Sequence, residues 1–390
     1  MNMLYKISFI ILSFVVIACS SVQPVTRCDG PDLKISSNFE NARVNDCKIV
    51  DGKIKLSITP ENEPINDSPW YAFKITSTTE KEVEVSISYQ GGHQRYTPKA
   101  SQNRINWQPL KYRVRNNVLH FKVAVSPTPT FIAGQELITN KDYDIWMKSL
   151  AKQPNVRHYT LGQSTQLRDI GALEVTGEGD EWIVVLGRQH PPEVTGALAL
   201  FPFVNNLIAD SQLSARFMQR FNILIVPDLN PDGVALGNWR HNANGVDLNR
   251  DWKAFKQVES RLVRDKLKAI TQSGGKIVFA VDFHSTKKDI FYTMPSDYGL
   301  NPPLLVESWL AELRETVSPF VIREQPGHNS DKGIFKQFIA DEYGVHGITY
   351  EMGDNTDRAV IKKLAVVASD SLMQKMLTTT PSEFKGKSLK

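Results

Sequence analysis

WIVVLGRQHPPE, residues 182–193, sets a continuous apolar run rich in β-branched residues directly ahead of a glycine break and a His-x-x-Glu pair. A run of that texture reads as a strand buried on both faces, the kind found inside α/β sheets. His190 and Glu193 then fall just past the carboxyl end of the strand, where open α/β sheets place their sites. Another apolar run, Ile277 to Phe283 (IVFAVDF), ends in a second histidine, His284. Two imidazoles and one carboxylate make a three-ligand zinc site with an open fourth position, the pattern of hydrolytic rather than structural zinc. A His-x-x-Glu pair alone recurs by chance, and a lone histidine is usually a surface or core residue. The strand-end setting is what lifts this one.

Between the two histidines a third apolar run, Ile223 to Val226, leads into Asn230-Pro231-Asp232-Gly233, then Trp239-Arg240-His241-Asn242, then Gly245 to Trp252 (GVDLNRDW). Turn chemistry accounts for the Asn-Pro-Asp-Gly stretch. It does not account for Arg240 and Arg250, whose rigid guanidinium forks suit recognition of a carboxylate. A fourth segment, Gly347 to Asp354 (GITYEMGD), alternates apolar residues and offers Glu351 from a strand toward the same neighbourhood. By itself Glu351 reads as an ordinary strand-end acid. With the other three segments it supplies a general base.

Taken in order, His-Pro-x-Glu, Asn-Pro-Asp-Gly-Val, Gly-Asn-Trp-Arg, Asp-Leu-Asn-Arg, Asp-Phe-His-Ser and Thr-Tyr-Glu resemble the zinc carboxypeptidase family, peptidase family M14, and most closely its cytosolic-carboxypeptidase-like branch. The resemblance implies a metallocarboxypeptidase that holds one Zn2+ per chain through His190, Glu193 and His284. It implies that Asp247 orients one ligand imidazole, that Arg240 receives the developing oxyanion, and that Asn249 and Arg250 hold the substrate's terminal carboxylate. Glu351 would take a proton from the attacking water and return it to the leaving amine. The implied partner is a peptide with a free C-terminal carboxylate. Other readings stay open at this stage: a zinc-dependent peptide- or muropeptide-binding lipoprotein without turnover, or an amidase or carboxypeptidase specific for peptidoglycan stem peptides. Retention of Glu351 together with Arg240 favours turnover, since a pure binder needs neither.

Two departures bear on the substrate. The pancreatic-type enzymes carry a tyrosine in the stretch that here reads Gln325-Pro326-Gly327-His328-Asn329-Ser330, leaving His328 or Asn329 to take its place or nothing to do so. The cytosolic type carries an arginine and a lysine for acidic side chains; this chain has Lys336 near the first position and Asp341 near the second. Glutamate removal is therefore not implied, and Lys336 with His328 is assigned to substrate binding.

Residues 1–18 read as a lipoprotein signal peptide. Lys6 precedes the apolar stretch Ile7 to Ile17, too short for a permanent span, and Val16-Ile17-Ala18-Cys19 resembles a bacterial lipobox. Lipidation at Cys19 is expected, with an anchor in the cell envelope at the periplasmic face of the outer membrane. An uncleaved anchor is the other reading. Cys28 and Cys47 then remain as an even pair in an oxidising compartment, read as a disulfide or, alternatively, as two free thiols.

The formal charge of +4 in 390 residues is too small an excess to argue for nucleic acid, and Lys385, Lys387 and Lys390 read as a solvated tail. The segment from Leu33 to Val125 alternates apolar and polar residues with period two between turn formers, which predicts an all-β sandwich. The Trp70 to Ile75 element resembles the β domain that precedes the catalytic domain in cytosolic-type carboxypeptidases, and its aromatics, Trp107 included, are expected in the core. From Thr139 onward helical patterns at Asp142–Leu150, Val194–Ala209 and Lys253–Gln272 join the apolar runs. They predict an α/β catalytic domain, a mixed central sheet with helices on both faces. The expected division is a tether over 19–32, a sandwich over 33–135, a catalytic domain over 136–380 and a polar tail over 381–390, with Pro127 and Pro129 marking the linker.

Overall fold

The structure, a computed structural model, describes residues 27–384. The expected signal peptide, Cys19 and the lysines of the tail lie outside the described residues. The amino-terminal part folds as β1 (Arg27–Asp29), β2 (Leu33–Ser36), β3 (Asp46–Val50), β4 (Lys53–Ile58), β5 (Ala72–Ser77), β6 (Lys81–Tyr89), β7 (Lys99–Ser101), β8 (Gln108–Pro109), β9 (Tyr112–Arg115), β10 (Val118–Val125) and β11 (Thr130–Ala133). One sheet runs β1-β2-β5-β11-β7-β8 and the other β3-β4-β6-β10-β9. Ile35, Phe73 and Ile75 of the first meet Ile54, Val85, Ile87 and Phe121 of the second in one core, which is the sandwich that the alternation predicts. Cys28 on β1 is disulfide-bonded to Cys47 on β3, with Cα atoms 5.9 Å apart, so the bridge joins the two sheets.

Three details differ from the sequence reading. The first sheet begins at β1, within the stretch expected to be a tether. β11 pairs with both β5 and β7, so Pro127 and Pro129 lie in the β10–β11 connection inside the sandwich rather than in a linker. Proline suits that connection because no ladder N–H is required of it. Trp107 is only half-buried, packed against the cluster of Trp70, Tyr96 and Leu137 rather than inside it.

The second part follows as α1 (Asn140–Leu150), β12 (Val156–Gln163), β13 (Asp169–Val175), β14 (Glu181–Gly187), α2 (Val194–Leu207), α3 (Gln212–Met218), β15 (Phe221–Val226), α4 (Pro231–Leu236), α5 (Val258–Gln272), β16 (Lys276–Thr286), β17 (Ile290–Thr293), α6 (Leu305–Thr316), β18 (Glu324–Pro326), α7 (Phe335–Tyr343), β19 (Gly347–Gly353) and α8 (Arg358–Thr378). Its sheet runs β12-β13-β15-β14-β16-β19-β17-β18. The four central strands β15, β14, β16 and β19 are mutually parallel, and antiparallel strands flank them. Side chains of α1, α2, α3, α6 and α8 cover one face. Those of α5 and α7 cover the other. This is the mixed α/β layer expected.

Helix α5 starts at Val258, later than its pattern implied, because Asp251 holds the preceding segment. Its carboxylate accepts the N–H groups of Lys256 (2.9 Å) and Gln257 (2.8 Å), and Phe255 adopts a φ of 49°. At the carboxyl end Phe384 is buried in the main core, so the chain packs past residue 381, where the polar tail was expected to begin.

Candidate active site

The carboxyl ends of β14, β15, β16 and β19 open onto a cleft of about 610 Å³. His190, Glu193, His284, Arg240, Asn249, Arg250, Lys336, His328 and Glu351 all line it. Every residue assigned from sequence to metal, catalysis or substrate binding therefore reaches one cavity, with Asp247 directly behind it.

The loop after β14 is braced from beneath. Arg188 is buried with a φ of 52°. Its guanidinium donates to Pro191 O (2.7 Å), Tyr143 Oη (3.1 Å) and Ile138 O (3.2 Å). Helix α2 then starts hard against β16. A Cβ on Gly196 would come 2.6 Å from His284 O, so only glycine allows the approach that brings Glu193 and His284 together.

Glu193 Oε1 lies 2.8 Å from His190 Nδ1, Glu193 Oε2 lies 2.7 Å from His284 Nδ1, and the two Nδ1 atoms are 3.2 Å apart. Both outward nitrogens are taken. His190 Nε2 donates to Asp247 Oδ1 (2.9 Å) and His284 Nε2 donates to Asp282 Oδ2 (2.6 Å). A carboxylate on each Nε2 places the proton there and leaves each Nδ1 lone pair aimed at a common point. With the Glu193 oxygens, these donors all lie within 4.8 Å of one another. Two imidazole nitrogens and a carboxylate oxygen are a donor set that fits zinc.

Burial alone would raise the Glu193 carboxyl, but His190 and His284 outweigh it and hold the group well below the usual range. Burial likewise opposes the charge on His284, yet Asp282 and Glu193 raise its pKa well above the ordinary value, so without a metal its Nδ1 favours a proton shared with Glu193, and that proton must leave before the lone pair can bind a metal. Asp247 is held far below the usual carboxylate range: burial works against this, and His190, Arg240 and Arg250 prevail. Its second oxygen accepts from Arg240 Nε (2.8 Å), so one carboxylate orients both a ligand and an arginine.

Glu351 stands opposite His284 in the β16–β19 register, which directs both side chains to the same side of the sheet. Its Oε2 is buried without a hydrogen-bond partner. Burial, with the Glu193 charge adding to it, pushes this carboxyl up to about 7. Asn249 is fixed by the Phe335 N–H on its Oδ1 (3.0 Å), and Arg250 Nη1 donates to Asn249 O (2.6 Å). Lys336 is buried, its Nζ donating to Thr293 O (2.9 Å) and to Gly327 O, and burial lowers its pKa to about 8. Ring contact with Tyr298 holds His328 at the rim, at 5.1 Å between centroids.

The sequence reading missed several participants. Asp282 stands two positions before His284, and the period of a strand puts both on one face; that signal was available. Gln189 bonds Asp282 through Nε2 (2.6 Å) and accepts from Trp252 Nε1 (2.8 Å), a relay with no local mark in sequence. Tyr292 on β17 and Arg95 from the sandwich also line the cleft. Arg95 donates to Asp354 (2.7 Å) and to Ser285 O (3.2 Å).

Comparison with known proteins bears on the same residues. The family profile described as zinc carboxypeptidase matches residues 143–356, and one described as cytosolic carboxypeptidase N-terminal domain matches residues 35–133. An uncharacterized protein of Zymomonas mobilis is 24% identical over 259 residues, covering 65% of this chain and 67% of its own. Cytosolic carboxypeptidase 2 of Xenopus tropicalis is 29% identical over 215 residues, which is 51% of this chain but 21% of that protein. Cytosolic carboxypeptidase 3 of Mus musculus is 23% identical over 315 residues, 69% of this chain and 31% of its own. This chain thus spans less than a third of the length of those two vertebrate relatives. Among solved structures, a metallo-carboxypeptidase from Burkholderia cenocepacia superposes with a TM-score of 0.75 at 20% identity, covering 88% of this chain and 98% of its own. One from Pseudomonas aeruginosa gives 0.71 at 21%, covering 87% and 98%. Those two likenesses show a common fold. With a profile match over more than half of its length, the chain belongs to the zinc carboxypeptidase family of peptidase-class hydrolases, with the N-terminal domain of the cytosolic carboxypeptidases ahead of its carboxypeptidase-like domain.

Proposed function

We propose that this protein is a zinc-dependent metallocarboxypeptidase that hydrolyses the C-terminal amide bond of peptides, with Glu351 as its general base. One observation carries the reading: two imidazole lone pairs and the Glu193 carboxylate converge beside a buried, unpartnered Glu351 oxygen. His190, Glu193 and His284 would hold the zinc, which when bound would supply Lewis-acid activation of water near neutral pH.

The side chains do the rest. Glu351, whose pKa burial lifts to about 7, accepts a proton from the attacking water and passes it to the departing amine. Arg240, steadied by Asp247, points its guanidinium into the cleft to receive charge on the scissile carbonyl oxygen. Asn249 and Arg250 hold the substrate's terminal carboxylate, which makes the site directional. Lys336 lines the cleft with its Nζ bonded to Thr293 O and Gly327 O, and a third ammonium hydrogen is left for a polar or acidic terminal side chain. Envelope peptides, either scavenged or from cell-wall stems, are the substrates that the lipobox-like amino terminus favours.

Glu351→Gln tests the proposal. Zinc content should stay at one per chain while turnover on peptides with a free carboxyl terminus falls by about two to four orders of magnitude. C-terminally amidated peptides should be poor substrates of the parent. Near-parental turnover by Glu351→Gln, or equal cleavage of free and amidated peptides, would overturn it.

A further inference from the structure

The residues assigned to the reaction all belong to the α/β layer, yet the segment that carries Arg240 is gripped by the other domain. Glu61 lies in the connection between β4 and β5 of the sandwich. Its Oε1 accepts the backbone N–H groups of Arg240 (2.8 Å) and His241 (2.7 Å), and its Oε2 accepts that of Trp239 (2.8 Å). Three successive N–H groups facing one point form a concavity suited to an anion. Here a carboxylate 178 positions away from Trp239 fills it.

The neighbouring contacts extend the grip to both ends of the segment. Asn62 donates through Nδ2 to Gly245 O (3.3 Å), and its Oδ1 lies 2.8 Å from His241 Nδ1. Arg43 donates to Gly237 O (3.4 Å). Gly237 takes a φ of 61°, and a Cβ there would come 2.4 Å from Ala42 O. Trp239 is fully buried, with its ring so close to Gly92 of the sandwich that a Cβ on Gly92 would lie 2.0 Å from it. From its own domain, Arg240 is tied through the side chain, by Nε to Asp247 Oδ2. Asn238 of that domain also donates to His241 O (2.9 Å), but the backbone N–H of Arg240 itself is held by Glu61.

We infer that Glu61 is a positioning residue for Arg240, which makes the β sandwich part of the catalytic apparatus. The inference rests on the role of Arg240 in the proposed reaction. Charge-assisted bonds from a carboxylate to backbone N–H groups are short and directional. Arg240 works on charge that develops in the transition state, and displacement of such a group by about 1 Å can cost on the order of 10²-fold in rate. Replacing the carboxylate by an amide leaves one oxygen for the Arg240 and His241 N–H groups but removes the charge and turns an N–H2 donor against the Trp239 N–H, so Glu61→Gln loosens the segment without removing bulk.

A double-mutant cycle on the full chain tests this. Glu61→Gln should lower kcat by about tenfold or more, with a smaller change in KM and zinc content unaltered. In an Arg240→Ala background the same change should cost less than about twofold, because the group it positions is gone. In the zinc-free protein, the arginine Nε–H NMR signal that Arg240→Ala abolishes should shift or broaden in Glu61→Gln. Equal losses in both backgrounds, unchanged kcat, or an unmoved signal would overturn the inference. Near-parental activity of Arg240→Ala alone would instead sink the role given to Arg240, which separates the two failures. If Glu61→Gln does not fold, the same cycle with Glu61→Asp, which keeps the charge but shortens its reach, decides on the same outcomes.

Discussion

The sandwich and the α/β layer sort their polar residues in different ways. In the sandwich, β4 buries Ile54, Leu56 and Ile58 and exposes Lys53 and Lys55, and β10 buries Leu119, Phe121, Val123 and Val125 with polar or small residues between. A strand wetted on one side can place a polar residue at every second position without cost. In the layer, β15 is buried at all six positions and β16 at nine of its eleven, Lys276 and Thr286 being the exceptions, so solvent supplies almost nothing along them. A polar side chain survives there only where other polar groups meet it, as Asp282 is met by Gln189 and His284. The difference teaches where to look: a polar residue on a sandwich strand is routine, and one at the end of a doubly buried strand marks chemistry.

The sharpest way to break that contrast is to cut the same side chain from each interior. Ile225 on β15 and Ile87 on β6 are both fully buried. Ile→Ala in a core costs about 2–5 kcal/mol, more where the surroundings cannot collapse. Both strands are hydrogen-bonded on both sides, β15 to β13 and β14 and β6 to β4 and β10, but Ile225→Ala should fall toward the upper end because its sheet is covered by helices on both faces. Ile87→Ala should fall lower. Urea unfolding of the two variants checks the order, and a larger loss for Ile87→Ala would reverse it.

A second test acts on the sandwich alone. Replacing Cys28 and Cys47 together with serine releases a link over a sequence separation of 19 and should cost about 3 kcal/mol, mainly through the unfolded chain. Turnover well below the unfolding temperature should persist. An unchanged unfolding midpoint under non-reducing conditions would show that the bridge contributes nothing.

The smallest expected effect concerns a buried acid of the layer. Asp228 follows β15, and its Oδ1 has no hydrogen-bond partner. Burial pushes its pKa from 3.8 up to about 7, with Arg188 partly opposing. The folded state therefore holds the proton more tightly than the unfolded chain. This contribution is fully present at low pH and is lost as pH rises from about 4 to about 7. Asp228→Asn should abolish that slope, so that the variant gains on the parent more at pH 8 than at pH 5. Parallel melting-temperature curves for the two proteins would show that Asp228 does not titrate in this range.

Much of the site is legible along the chain because strand ends are local features. His190, Glu193, His284 and Glu351 each follow or close a run whose period is visible within ten residues, and all four meet in the cleft. Arg240, Asn249 and Arg250 stand out because turn chemistry does not require them. Helix α6 buries Leu305, Val306, Trp309, Leu310 and Leu313 at helical spacing, a signal present in the sequence, whereas α7 buries Phe335 to Ala340 in succession, Lys336 and Gln337 included, and α8 buries Ser369 and Ser371, so their cover is set by the elements packed against them. The prolines at 127 and 129 mislead for a related reason: proline marks a break in a ladder, and a turn inside a domain breaks it as well as a linker does.

Residue order, then, is sufficient for the family and for most of the side chains that gather at the cleft, because each rests on short motifs whose spacing is set by one element. It is silent on Glu61, Asn62 and Arg95, which act on a cleft in another domain. A hydrogen bond reaches only about 3 Å, and nothing local in the β4–β5 connection records which backbone will come within that distance once the two domains dock. The folded chain alone makes the sandwich a support for Arg240, since the three N–H groups that Glu61 receives converge only after the segment of Trp239 to His241 has been bent around it.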